Sequence, residues 1–513
     1  MDLNVERERG AGDDLRSAAA HGVRWSVISR PAIELLQLIS VVILARLVDP
    51  AEFGRFAIAI IAQEVAFLIV AGGISAALVQ HRNLTRAHEE TGMWLGLVSG
   101  IGLGILVLIL ASVAIDPIFG ARTASYVRLM SPLCVVAALS VVPMASLRRR
   151  MAFRRLSEIE IASTLARVGG AVVLAVAGMG GEALVLGVIA GSLVTGIFGW
   201  VSAPGPLPRL HRKPARELLS YGLPFSLASV SWVGFSNVDY AIIGARLGAV
   251  QTGLYYRAYT LAVEYQAKIS VVMTQVGFPV LARAADPAEL AHLHQKMVRM
   301  LTIVIFPLLA LLAIGAPVLV PLFFGARWDG AVAPVQVLAI GGASVVAIDA
   351  AGTVLMATGR VRALLGYGVG HFLTYGLAVF IAAPHGIVAV AVAGSVAHTL
   401  FLGVAYLLII QNADEKPLER LVTDLAPATV GSLALVAVAL PTGAALTAAG
   451  VAAVPWLLAV GAVSVVPYLL TIRLLFPETW GDQCRAMRRV VPPRLQPRGR
   501  LRRLVPAGGR ASA

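Results

Sequence analysis

The chain has 513 residues, 58% of them hydrophobic and only 14% charged, with a mean hydropathy of +0.82. Soluble domains carry about 25% charged residues, so most of this chain is expected to face lipid, which excludes an ordinary soluble enzyme or binding module. The net charge of +14 does not point to nucleic acid, because the basic residues fall in short connections between apolar runs.

Residues 1–23 are polar (Glu6, Arg7, Glu8, Arg9, Asp13, Asp14) and lack the apolar core and small-residue cleavage site of a secretory signal. The first hydrophobic helix is therefore expected to be retained. A spanning helix needs roughly 20 apolar residues. Divided at charged or Pro/Gly-rich junctions, the apolar runs predict fourteen spans: 24–47, 53–80, 91–115, 124–147, 159–179, 182–203, 218–247, 252–282, 298–324, 333–358, 362–383, 386–410, 423–446 and 451–475. Only helices and closed barrels satisfy their backbone in lipid. These runs are too long and continuous for barrel strands, so the fold class is all-α.

The positive-inside rule tests the count. With the N-terminus cytoplasmic, 32 of the 42 Lys and Arg residues fall on inside segments. They include Arg148, Arg149, Arg150, Arg154 and Arg155, the group Arg209, Arg212, Lys213 and Arg216, and ten arginines from Arg473 to Arg510. Outside junctions hold Arg46, Arg55, Arg122, Arg128, Arg246 and Arg327. Both termini are expected to be cytoplasmic, with the basic tail 476–513 resting on anionic lipid headgroups. Cys134 and Cys484 are too few for a disulfide framework.

The chain repeats itself at an offset of about 200 residues. Ala45-Arg46-Leu47 and Ala245-Arg246-Leu247 end the first and seventh spans, each followed by a turn and a glycine, Gly54 or Gly253. Pro117-Ile-Phe-Gly-Ala-Arg122 matches Pro321-Leu-Phe-Phe-Gly-Ala-Arg327. Six spans per repeat gives two parallel six-helix lobes about an axis along the membrane normal. The expected organisation is an N-lobe 24–203, a basic linker 204–217, a C-lobe 218–410, helices 13–14 at 423–475, and the tail.

Several stretches resemble bacterial polysaccharide flippases of the multidrug/oligosaccharidyl-lipid/polysaccharide exporter superfamily. They are Ile43-Leu-Ala-Arg-Leu-Val-Asp-Pro-Ala-Glu-Phe-Gly54, Gly73-Ile-Ser-Ala-Ala-Leu-Val-Gln80, Leu147-Arg-Arg-Arg-Met-Ala-Phe-Arg-Arg155, Leu219-Ser-Tyr-Gly-Leu-Pro-Phe225, Gly253-Leu-Tyr-Tyr-Arg-Ala-Tyr259 and Phe323-Phe-Gly-Ala-Arg-Trp328. The resemblance covers roughly residues 20–475. Where such proteins often have Asp-Asn in helix 7, this chain has Asp239-Tyr240. The resemblance implies an inner-membrane flippase for an undecaprenyl-diphosphate-linked oligosaccharide or exopolysaccharide repeat unit. Its partners would be that lipid-linked substrate and membrane lipids, with a polysaccharide polymerase and glycosyltransferases as candidate partner proteins and no nucleic acid.

Such a substrate needs a hydrated path with cations for its diphosphate and polar or aromatic groups for its sugars. Ionisable residues within spans are costly and mark function by default. Arg30, Arg167, Arg257 and Lys268 are the diphosphate candidates, because arginine can donate two parallel hydrogen bonds. Tyr259 and Tyr265 are candidates for stacking on sugars. Glu64, Asp239 and Asp349 are candidates for coupling to an ion gradient. The competing reading is mutual neutralisation, within Arg30–Glu34 and Glu264–Lys268 at i,i+4. His371 and His398 lie in helices 11 and 12 with no second ligand at recognisable spacing, so neither a metal site nor a cofactor is expected. The alternatives are a peptidoglycan lipid II flippase or a drug/cation antiporter of the same superfamily, and, in another class, a membrane polysaccharide polymerase or glycosyltransferase. Every outside connection is short and no nucleotide-phosphate loop or paired-acid motif occurs in one, so an enzyme is not expected.

Overall fold

The structure, a computed structural model, describes residues 33–264, 266, 277–278, 280–284, 286–410 and 416–490. All regular secondary structure among them is helical. In chain order the helices are α1 (33–47), α2 (Pro50–Gln80), α3 (Arg86–Phe119), α4 (Ala121–Arg149), α5 (Phe153–Val176) and α6 (Glu182–Ser202). Then come α7 (Arg212–Ser236), α8 (Val238–Tyr259), α9 (Pro287–Phe324), α10 (Val332–Ala357), α11 (Val361–Ala382), α12 (Ile387–Ile410), α13 (Pro417–Ala448), α14 (Ala453–Leu475) and α15 (Pro477–Val490).

Eleven helices among the described residues are long and apolar enough to cross a membrane. Three sequence-predicted spans are not among the eleven. Residues 24–32 of the first, and most of 265–276 in the eighth, lie outside the described residues. The seventh forms helix, but the serines of α7 (Ser220, Ser226, Ser229, Ser231, Ser236) dilute its apolar character. It also breaks at Asn237, whose side-chain amide turns back to donate to the Val233 carbonyl at 2.8 Å.

Helix ends overrun the apolar runs wherever a cap is available. Thr85 caps α3 in a reciprocal capping box with His88, so that helix begins at Arg86 rather than at 91. The Asp286 carboxylate accepts from the Glu289 N–H at 2.8 Å and Pro287 follows it, starting α9 about three turns before the apolar run. Outward faces carry a continuous apolar coat, for example Ile101, Ile105 and Ile109 on α3 and Leu365, Leu373 and Leu377 on α11. In water such a surface would aggregate; in lipid it is the solvated side.

The chain folds as two compact units, Met1–Tyr256 with Phe323–Arg327, and Arg257–Leu322 with Trp328–Ala513. In the first unit small residues set the helix spacing. Gly96, Gly100 and Gly104 form a stripe on α3 that lies against Cys134 and Ala138 of α4, where a Cβ on Gly100 would stand 2.7 Å from the Cys134 carbonyl. Cys134 is thereby fully buried. The core continues through Val70, Tyr126, Met130 and Val185. In the second unit α13 and α14 pack around Leu435, Trp456, Val460 and Tyr468, whose hydroxyl donates to the Ile303 carbonyl of α9 at 2.5 Å. Asp424 is buried in the same unit and accepts from Gln295 at 2.7 Å and from Tyr406 at 3.1 Å.

The internal repeat has a physical counterpart within the first unit. A Cβ on Gly54 would fall on the Ala249 carbonyl and lie 2.8 Å from the Gly253 nitrogen; a Cβ on Gly253 would fall on the Pro50 carbonyl and lie 3.0 Å from the Gly54 nitrogen. Pro50 and Gly54 thus contact Ala249 and Gly253 reciprocally. The chain reaches Ala249 through a sharp turn at Gly248, whose φ of 79° is accessible to glycine at little steric cost.

Candidate functional site

The in-span charges of the first unit centre on Arg167. Its α5 backbone is covered by α6, which approaches through Gly187 and Gly191, yet its side chain remains exposed. The electrostatic influence of the Glu34 carboxylate on α1 reaches the guanidinium, and Tyr256 of α8 stands nearby as a neutral phenol. A lone charge at mid-membrane costs about 2.5–3.5 kcal/mol on insertion scales, and the Glu34 carboxylate offsets part of that cost. Tyr256 stands edge-on to the buried Tyr240 with ring centroids 5.6 Å apart, and Tyr255 does so at 5.9 Å. Buried aromatic packing therefore fixes the position of Tyr256.

Glu64 is exposed on α2, one turn before the helix widens into a π turn at Leu68–Gly72. Such turns free backbone groups, and here Ser226 of α7 engages both sides of it. Its hydroxyl accepts from the Gly73 N–H at 3.1 Å and donates to the Leu68 carbonyl at 3.0 Å. Close contact between Gly73 and Gly222 admits α7 to that position. Asp239 is fully buried just after the break at Asn237, and its carboxylate accepts from the Tyr240 N–H at 2.9 Å.

In the second unit Arg257 is buried and Tyr259 half-buried on α8. Asp349 is half-buried on α10, and its electrostatic influence reaches Tyr367 of α11. Arg30, Tyr265 and Lys268 lie outside the described residues, and with them the Arg30–Glu34 and Glu264–Lys268 pairs.

Some features escaped sequence reasoning. His371 and His398 are each other's partner, Nε2 to Nδ1 at 2.9 Å across α11 and α12, and Tyr375 stacks on His398 at 5.0 Å. A separation of 27 residues on two helices gives no recognisable spacing. Arg149, from the basic cluster after α4, caps the end of α2: it donates to the carbonyls of Leu78, Val79, His81 and Arg82 at 2.5–3.3 Å. It supplies what a helix C-terminus lacks. Arg46 donates from Nε to the Phe323 carbonyl at 3.0 Å, and Arg327 reaches back to the Arg46 carbonyl and the Asp49 carboxylate, each at 2.5 Å. Two arginines of the repeated motifs thus tie the end of α1 and Asp49 to the end of α9 and the residues just after it.

Long apolar helices, an apolar outer coat and charged side chains within spans define a multi-pass membrane protein with the fold of a lipid or drug transporter. A solved structure of the lipid II flippase MurJ in an inward closed conformation matches with a TM-score of 0.75 at 14% identity, covering 89% of this chain and 99% of that one. The chain belongs to the polysaccharide biosynthesis protein family, whose description matches residues 43–333. It is 26% identical over 351 residues to the lipopolysaccharide biosynthesis protein WzxC of Escherichia coli K12, covering 68% of this chain and 71% of that one. It is 28% identical over 316 residues to the succinoglycan biosynthesis transport protein ExoT of Rhizobium meliloti, covering 60% and 62%.

Proposed function

We propose that this protein is a flippase that carries a polyprenyl-diphosphate-linked oligosaccharide, such as an undecaprenyl-diphosphate exopolysaccharide repeat unit, from the cytoplasmic to the periplasmic leaflet of the inner membrane. The lipid tail stays in hydrocarbon while the diphosphate and sugars follow a polar path, and the two sides open in alternation. Fourteen helices, both termini in the cytoplasm, two parallel lobes at 24–203 and 218–410, and an added pair at 423–475 form the architecture of this proposal. A polymerase and glycosyltransferases consume and supply the substrate, and the protein itself makes and breaks no covalent bond.

The observation that carries the reading is Arg167: an arginine in the middle of an apolar helix, exposed as a residue, with the Glu34 carboxylate within electrostatic reach. Arginine presents a fork suited to phosphate oxygens, and the Glu34 carboxylate offsets part of its charge until a diphosphate competes. The relatives, a lipopolysaccharide biosynthesis protein and a succinoglycan biosynthesis transport protein, support this substrate class. In this scheme Arg30, Arg257 and Lys268 hand the diphosphate onward, Tyr259 and Tyr265 stack on sugars, and Glu64, Asp239 or Asp349 exchanges an ion. The test is polysaccharide export in cells whose only copy is Arg167→Ala, at matched membrane levels. Loss of export with accumulation of the lipid-linked precursor is expected; normal export would remove Arg167 from the path.

A further inference from the structure

On the face that carries Arg82, Arg86, Lys213 and Arg216, three side chains from three separate segments converge. His81 ends α2, His88 lies in the first turn of α3, and Glu217 lies in the second turn of α7. One donor atom from each falls within 4.8 Å of the other two. The Glu217 carboxylate oxygen Oε2 stands 2.7 Å from His88 Nε2 and 3.4 Å from His81 Nε2. The two imidazoles lie against each other with ring centroids 4.4 Å apart.

We propose that His81, His88 and Glu217 form a binding site for a divalent transition-metal ion of the zinc type, with a water completing the coordination. Two imidazoles and one carboxylate are a three-ligand set that zinc accepts with an open fourth position, and imidazole is a ligand suited to this class of ion. Two of the three donor separations are close to what the ion requires, and the third, between the two imidazoles, is within 4.8 Å. With metal–ligand bonds of ~2.0–2.1 Å, the donors of a tetrahedral site stand about 3.3 Å apart. The His81–Glu217 separation already matches, and the His88–Glu217 pair needs to open by roughly half an ångström as its hydrogen bond is replaced.

Two further features set this cluster apart from an ordinary surface ion pair. His88 is buried, and its Nδ1 is fixed 2.7 Å from the Thr85 hydroxyl, the kind of outer partner that orients a metal-bound imidazole. When the ion binds, the His88 proton moves from Nε2 to Nδ1, which then donates to the Thr85 hydroxyl in place of accepting from the Thr85 N–H. His81, by contrast, makes no hydrogen bond through its ring: the contact to Glu217 is long, and its buried Nδ1 has no partner. Yet its position is held, because Arg149 binds its carbonyl. A ring held at a carboxylate that His88 already engages is positioned to complete a ligand set. An ion there would staple the α2–α3 turn to the start of α7 and so set how firmly that end of α7 is held.

The experiment uses the full-length protein in lipid nanodiscs, purified with a tag that contains no histidine and stripped with chelator. Zn2+ is titrated by calorimetry and quantified by mass spectrometry. One ion per chain is expected, with at least tenfold weaker binding in Glu217→Gln and in His81→Gln, and unchanged binding in His211→Gln, whose ring bonds Glu90 instead. Hydrogen exchange at the start of α7 should slow on addition of Zn2+ in the wild type only. His81→Gln removes no hydrogen bond of the ring and so keeps the test valid if Glu217→Gln proves unstable. Equal Zn2+ binding in wild type and His81→Gln, no binding in the wild type, or equal weakening by His211→Gln would each overturn the assignment.

Discussion

A guanidinium in the middle of an apolar helix is costly unless something meets it. The Glu34 carboxylate lies within electrostatic reach of Arg167, and in the proposed reading a diphosphate takes over. A charge-assisted hydrogen bond is worth about 1.5–3 kcal/mol, which is roughly 10–100-fold in rate or affinity. Arg167→Ala should therefore slow flipping about 10–100-fold at unchanged protein level, and Arg167→Lys should recover part of it, since one donor fork is lost but the charge is kept. Ser226 has a different role, satisfying two backbone groups at the π turn of α2. Ser226→Ala should cost about 1–3 kcal/mol, seen as a lower unfolding temperature, whereas Ser231→Ala, an exposed serine bonded only within its own helix, should stay within about 0.5 kcal/mol. Glu217 titrates below its ordinary value of 4.5 because His88 bonds its ionised form, with Lys213 and His81 adding to the field. A depressed carboxylate stabilises above its ordinary value and loses that contribution as pH falls through the folded one. Protection against hydrogen exchange at the start of α7, taken relative to the intrinsic rate at each pH, should accordingly fall below about pH 4.5, and Glu217→Gln should abolish that step. Arg167 was legible from sequence because an ionisable residue in an apolar run stands out. Its partners were not, since α1, α5 and α8 meet only in three dimensions, and Ser226 was one unremarked serine among five on α7.

At the scale of helices, the apolar runs located nearly every described span, because length and hydropathy are what the bilayer selects. Their ends were less legible. Capping by Thr85 and Asp286 extends α3 and α9 beyond the apolar stretch, and hydropathy does not register a cap. The arginine cluster after α4 reads from sequence as a topology signal, while in the fold Arg149 also closes the end of α2. The repeated glycines were visible as a pattern, but their meeting was not. At Gly54 an added methyl collides with the Ala249 backbone, while at Gly102 of α3 it meets nothing within 4 Å. Gly54→Ala should thus cost about 1–3 kcal/mol by overpacking, and Gly102→Ala should be neutral or raise stability by up to about 1 kcal/mol through helix propensity. Thermal unfolding of the two variants in the same lipid checks the contrast.

For the molecule as a whole, the offset of about 200 residues picks out two similar motifs, and Pro50 and Gly54 of one contact Ala249 and Gly253 of the other reciprocally. The family resemblance was readable from the order of short motifs, none of which is decisive alone, and the family match over residues 43–333 bears it out. Sugar chemistry leaves no comparable trace in the chain, since hydroxyls are met by the same serines and tyrosines that hold helices together. The claim on which the account rests is transbilayer movement of a polyprenyl-diphosphate oligosaccharide. The direct measurement reconstitutes the full chain into sealed liposomes carrying that lipid in a fluorescently tagged form and follows its accessibility to an external glycosidase. The account predicts that accessibility rises from about half of the lipid to nearly all of it with the wild-type protein, and does so at least tenfold more slowly with Arg167→Ala. Accessibility that stays at the protein-free level with folded wild-type protein would contradict it.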